Sequence, residues 1–115
     1  ADQGLTRSIG VSNFTIDQMK RLLASARIKP VTNQVECHPY LPQLKLRKFC
    51  HQYSIILTAF SPLGNPGSAK NKASDKDKLL KEPVVVRLAE KYGKNAGQIL
   101  IKFQVRTCTQ ERITY

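Results

Sequence analysis

At 115 residues the chain can bury one modest core, and it is far short of the roughly 250 residues of a complete (β/α)₈ barrel. Apolar residues make up 41% and charged residues 23%, a globular balance that excludes a disordered chain, and no apolar run approaches the roughly 18 residues of a membrane span. Lys and Arg number 19 against 8 Asp and Glu, a formal charge of +11, yet the bases are scattered from Arg7 through Lys20, Arg47 and Arg87 to Lys102, as on solvated helix faces rather than in one anion-binding block.

The first strand is predicted within Leu5 to Val11, where Leu5, Ile9 and Val11 are apolar. Ser12-Asn13-Phe14 follows. Thr15-Ile16-Asp17-Gln18 then fits a capping box, with Thr15 as cap and Gln18 reaching back. Ile16, Met19, Leu22, Leu23 and Ala26 recur at helical spacing until Pro30 forbids continuation. Val31 to Val35 is the second strand, with Val31, Asn33 and Val35 alternating with Thr32 and Gln34. Leu46, Phe49, Cys50 and Tyr53 form one face of a second helix. Ile55 to Phe60 is a nearly continuous apolar run, the pattern of a strand buried on both faces.

Ser61 to Lys78 reads as a long loop, broken by Pro62, Gly64, Pro66 and Gly67. Pro83 suits the first turn of a third helix, which carries Val84, Val85, Leu88, Ala89 and Tyr92 and ends at Gly93. Asn95 caps a fourth helix with Ala96, Ile99, Leu100 and Phe103 as its stripe. From Val105 on the pattern stops. Strands alternating with helices imply an α/β protein with parallel strands. Periodicity alone does not separate a barrel portion from a doubly wound sheet.

In parallel α/β folds ligands sit at the carboxyl ends of strands. Three segments fall there: Ser12-Asn13, Gln34-Val35-Glu36-Cys37-His38, and Phe60-Ser61-Pro62-Leu63-Gly64. Ser, Asn and Gln supply both donors and acceptors, as a carboxamide ligand requires; a helix cap is the competing reading for Ser12 and Asn13. The loop from Ser61 to Ser68 exposes backbone N–H groups that suit phosphate oxygens, or it is an ordinary surface loop. The pairs Cys37-His38 and Cys50-His51 lack zinc spacing, and no metal site is expected. With Cys108 the cysteines number three, an odd count with no disulfide framework, and a reducing, cytoplasmic setting follows. Ala1 to Thr6 shows no apolar leader.

Gly10-Val11-Ser12-Asn13-Phe14, Asn33-Gln34-Val35-Glu36-Cys37-His38-Pro39-Tyr40-Leu41 and Ala59-Phe60-Ser61-Pro62-Leu63-Gly64 together resemble three successive segments of the aldo-keto reductases. The resemblance covers Gly4 through Val105. It implies a partial (β/α)₈ TIM barrel, about strands five to seven with their helices, over residues 1–105, followed by a divergent tail over 106–115. It also implies hydride transfer from NADPH to a small-molecule aldehyde or ketone. By the same resemblance Ser12, Asn13 and Gln34 hold the nicotinamide carboxamide. Phe60, where the family usually has Tyr, stacks on the ring. Ser61 and Leu63 match pyrophosphate-loop positions, although Asn65 and Gly67 stand where the family often has Ser and Asp. Arg112 matches an arginine beyond the family's Lys-Ser segment, and that segment and the eighth strand have no counterpart here.

The family's acid/base Tyr and its Lys, Asp and His helpers belong upstream of every segment present, so no catalytic residue is assigned and the chain is expected to be a fragment that does not reduce aldehydes alone. Two other expectations compete with a cofactor-binding portion. One is a product without catalysis that acts by association. The other is a basic nucleic-acid-binding module, which lacks an aromatic-basic motif. The resemblance implies neither nucleic acid nor membrane as partner. Full-length members are usually monomeric, whereas three strands cut from a barrel are expected to self-associate.

Overall fold

The computed structural model describes residues 3–64 and 78–108, the side chain of Cys108 apart. In chain order it contains β1 (Gly10–Ser12), α1 (Ile16–Ser25), β2 (Thr32–Glu36), α2 (Leu44–Gln52), β3 (Ile56–Phe60), α3 (Pro83–Tyr92) and α4 (Ala96–Cys108). The three strands form one parallel sheet in the order β1-β2-β3. Parallel neighbours need a crossover; α1 and α2 supply the two here.

Pleating sends alternate side chains to opposite faces. Asn33, Val35 and Leu57 point to the helix-covered face and are buried. They join Met19 from α1 and Leu46, Phe49 and Cys50 from α2 in the main core. Gly10, Ser12, Thr32, Gln34, Glu36, Ile56, Thr58 and Phe60 share the opposite face, in register rows Gly10-Thr32-Ile56, Ser12-Gln34-Thr58 and Glu36-Phe60. A second, smaller core gathers Leu79, Val85 and Leu100, with Leu63, Leu80, Ala96 and Ile99 against it. The buried Gln104 amide of α4 donates to the Cys37 carbonyl at 2.8 Å and ties this helix to the end of β2.

The helix signals act as their chemistry dictates. Gln18 N–H donates to Thr15 Oγ1 at 3.3 Å and Thr15 N–H to Gln18 Oε1 at 2.8 Å, the reciprocal capping box. Gln98 and Asn95 exchange the same two bonds at the start of α4. Pro83 opens α3, and Gly93 ends it in the left-handed region at φ 59°.

Four expectations need correction. The first strand is three residues long, because the segment before Gly10 lies in solvent; Leu5 is 85% exposed. The second is shifted one residue, with Val31 outside it and Glu36 within. The third is buried on one face only: Leu57 is covered while Ile56, on the open face, is 52% exposed. Finally, α4 continues through Cys108, past the end of its apolar stripe. Thr107 Oγ1 donates to the Phe103 carbonyl at 2.7 Å within that last turn, and helical backbone bonding does not require the apolar stripe to continue. On α3, Val84 and Tyr92 are exposed, and Val85 and Ala89 alone are buried.

Candidate functional site

The carboxyl ends of β1, β2 and β3 bring three polar side chains, Ser12, Gln34 and Thr58, into one row. Ser12 and Gln34 are register partners, and Gln34 is in turn the partner of Thr58. Ser12 Oγ donates to the Gln34 carbonyl at 2.9 Å. The Asn13 N–H donates to the same carbonyl, also at 2.9 Å. With its one proton engaged in this way, the Ser12 hydroxyl retains only lone pairs for a ligand.

The chain then turns sharply. Asn13 takes φ 58°, a left-handed conformation that Asn tolerates better than most side chains. The turn is held from beneath by Asn33, which is fully buried. Its Nδ2 donates to the Phe14 carbonyl at 2.9 Å, and the Phe14 N–H donates to its Oδ1 at 3.3 Å. In the sequence Asn33 is a polar residue on the apolar face of a strand, a position that demands partners.

At the end of β3, Phe60 lies beside Glu36, and its carbonyl accepts from the Cys37 N–H at 3.2 Å. Ser61 is also left-handed, at φ 50°. The Gly64 N–H donates to the Ser61 carbonyl at 3.0 Å and closes a tight turn. Leu63 packs with the second core, 4.0 Å from where a side chain on Gly97 would begin. An open cleft of about 600 Å³ runs beside these ends. Asn13, Phe14, Glu36, Gln43, Lys45 and Phe60 are among its lining residues. Ser12, Asn13, Gln34, Phe60 and Ser61 thus lie at one end of the sheet, whereas Leu63 faces the α3–α4 side. Arg112, Asn65 and Gly67 lie outside the described residues.

Three further contacts frame the site without having been expected. Glu36 Oε1 is 3.2 Å from Nε2 of the buried His38. Gln43 Nε2 donates to the Glu36 carbonyl at 2.9 Å. The Tyr40 hydroxyl donates to the Glu82 carboxylate and so links the β2–α2 loop to the start of α3; that bond and the adjacent negative charge raise the phenol above its ordinary range. The Tyr40–Glu82 pairing joins residues 42 positions apart and leaves no periodic signal. Cys37 and Cys50 are buried in the core, and burial pushes the Cys50 thiol up. Among the described residues no group of three or more His, Cys, Asp or Glu gathers to hold a metal. No helix among them is long and apolar enough to cross a membrane.

Comparison with known proteins places this arrangement. The model of the Aldo/keto reductase family matches residues 1–112. The chain is 45% identical over 104 residues to aldo-keto reductase family 1 member A1 of Xenopus tropicalis, covering 90% of this chain and 32% of the relative. It is 46% identical over 107 residues to member D1 of Oryctolagus cuniculus, covering 91% and 33%. A crystal structure of an aldo/keto reductase from Brucella melitensis superposes with a TM-score of 0.79 at 36% identity, over 93% of this chain and 37% of that one. The chain spans about a third of the length of the curated relatives it matches. Its parallel α/β sheet therefore corresponds to a portion of an aldo-keto reductase barrel, and the chain belongs to the aldo/keto reductase family.

Proposed function

We propose that this chain is the portion of an NADP(H)-dependent aldo-keto reductase that holds the nicotinamide and pyrophosphate of the cofactor, in an enzyme that reduces aldehydes or ketones to alcohols. In that reading β1, β2 and β3 are barrel strands five, six and seven, and their open face lines the barrel interior.

The observation that carries it is the Ser12–Gln34 bond. It makes the Ser12 oxygen an acceptor, matched to the amide N–H of a nicotinamide carboxamide. The carboxamide oxygen needs a donor, which the side-chain amides of Asn13 and Gln34 can provide. Phe60 lines the adjoining cleft with Asn13 and offers an aromatic face for the ring. The residues present therefore fit a nicotinamide. NADPH, when bound, supplies the hydride. This chain's part is to fix the ring's position and facing, and the general acid that protonates the carbonyl oxygen is assigned to none of its residues. Ser61, Leu63 and Arg112 are assigned to the phosphate side of the cofactor.

The test is NADPH titration into the chain, alone and grafted into a complete family barrel. Asn13→Ala and Gln34→Ala should each weaken binding by about 1–3 kcal/mol, the cost of an unpaired polar group. Unchanged affinity in both variants would overturn the assignment. Among the described residues β1 and β3 each have one strand neighbour and one face of the sheet is open, which favours one second reading, a chain that acts by association without catalysis. In that case neither substitution alters NADPH affinity.

A further inference from the structure

We propose that Thr58 is a positioning residue that orients the Gln34 side chain toward the cofactor, through a hydroxyl pair with Thr32. This rests on the reading of Gln34 as a nicotinamide ligand. On the open face, Thr58 is the register partner of Gln34 on the side opposite Ser12. Adjacent strands lie about 4.8 Å apart, so the Gln34 side chain rises between two hydroxyl-bearing neighbours. Thr58 Oγ1 lies 2.6 Å from Thr32 Oγ1.

Gly10 sets the direction of that pair. A side chain there would begin 2.5 Å from Thr32 Cγ2. The Thr32 methyl occupies the space beside β1, and its hydroxyl is thereby turned toward β3. A pair of hydroxyls shares one proton between its oxygens, so the accepting hydroxyl keeps its own proton for another partner.

Among the described residues few donors face the site. Ser12 has spent its proton on the Gln34 carbonyl, so the cofactor's carboxamide oxygen depends on side-chain amides. Gln34 serves it only with its NH₂ outward and its Oε1 held from below. Thr32 donating to Thr58 leaves the Thr58 proton for Gln34 Oε1 and selects that orientation. With Thr58 as donor to Thr32 instead, the amide would be held the other way round, with Oε1 outward.

The experiment is NADP⁺ titration by calorimetry into the full chain carrying Thr58→Val, Thr58→Ser, Gln34→Ala or Thr58→Val with Gln34→Ala. Circular dichroism monitors the fold of each. Thr58→Val should weaken binding about fivefold to tenfold, the value of one hydrogen bond, and Thr58→Ser should restore it. In the Gln34→Ala background Thr58→Val should have no further effect, because the two residues act as one unit. Additive losses would mean that Thr58 acts on the fold and not on Gln34, and would overturn the proposal. So would a silent Thr58→Val beside a damaging Gln34→Ala. A silent Gln34→Ala would instead remove the cofactor reading itself, and the proposal with it.

Discussion

Asn33 and Phe14, 19 positions apart, exchange two hydrogen bonds in which one side-chain amide satisfies both the N–H and the carbonyl of the other residue's backbone. The turn that carries Asn13 is thus fastened to the middle of β2. Asn33→Ala leaves both groups without those partners in the core. It should destabilise the fold by about 1–3 kcal/mol and should weaken NADPH binding although Asn33 does not face the ligand. Urea unfolding and NADPH titration of the same variant check the two effects. A stable variant with intact affinity would show that the turn holds itself.

Tyr40 and Glu82 provide a pH test. The folded phenol titrates above its ordinary value of 10.0 because Glu82 accepts its proton and places negative charge beside it. A group whose folded pKa is raised binds its proton more tightly in the native state. Its contribution is therefore complete below pH 10 and is lost as pH rises through the folded value. Unfolding midpoints measured from pH 8 upward should fall more steeply in the native chain than in Tyr40→Phe. Parallel curves would show that the bond contributes nothing to folding.

Cys50 should be chemically silent in the native state. Its thiol is buried and pushed above its ordinary 9.0, and the thiolate is the reactive form. Iodoacetamide at pH 8, read by site-resolved mass spectrometry, should leave Cys50 and Cys37 unmodified in buffer and label both in urea. Rapid labelling in buffer would indicate that the main core opens readily.

Self-association follows from the sheet. Among the described residues β1 and β3 each have one strand neighbour, and Ile56 stands on the uncovered face. Exposed edges of this kind recruit other chains. Sedimentation velocity should show association that Ile56→Lys reduces. A monodisperse monomer with a sharp cooperative transition would mean that the chain covers its open face in another way.

What could be read from the sequence was local. Thr15 with Gln18, Pro83, Gly93 and Asn95 declare helix ends because capping depends on a few adjacent residues. The second and third strands were found to within a residue, since alternation and apolar runs are written along the chain. The short extent of β1 is hidden in the sequence because Leu5 and Ile9 are apolar whether or not anything covers them. For the same reason Ile56 gave no sign that its face of β3 is open. In the site, residue type marked Ser12 and Gln34. Only the register shows that the Ser12 proton goes to the Gln34 carbonyl and that Thr58 stands in the same row. Tyr40 and Glu82 meet across 42 positions, a separation that no pattern along the chain records.

The division of the apolar interior into two clusters, one beneath the sheet and one between α3, α4 and Leu79, has a consequence for how the chain breathes. Units with separate interiors open separately, each with its own free energy. The proposed cofactor positions straddle the seam: Asn13 and Gln34 stand at the sheet end, and Leu63 packs with the smaller cluster. A ligand spanning them would act as a suture, raising the cost of opening either half by mass action. Amide exchange in α4 would then slow when a molecule bound mainly at β1 and β2 is added, and the smaller unit would be rigidified by a ligand whose ring it never touches.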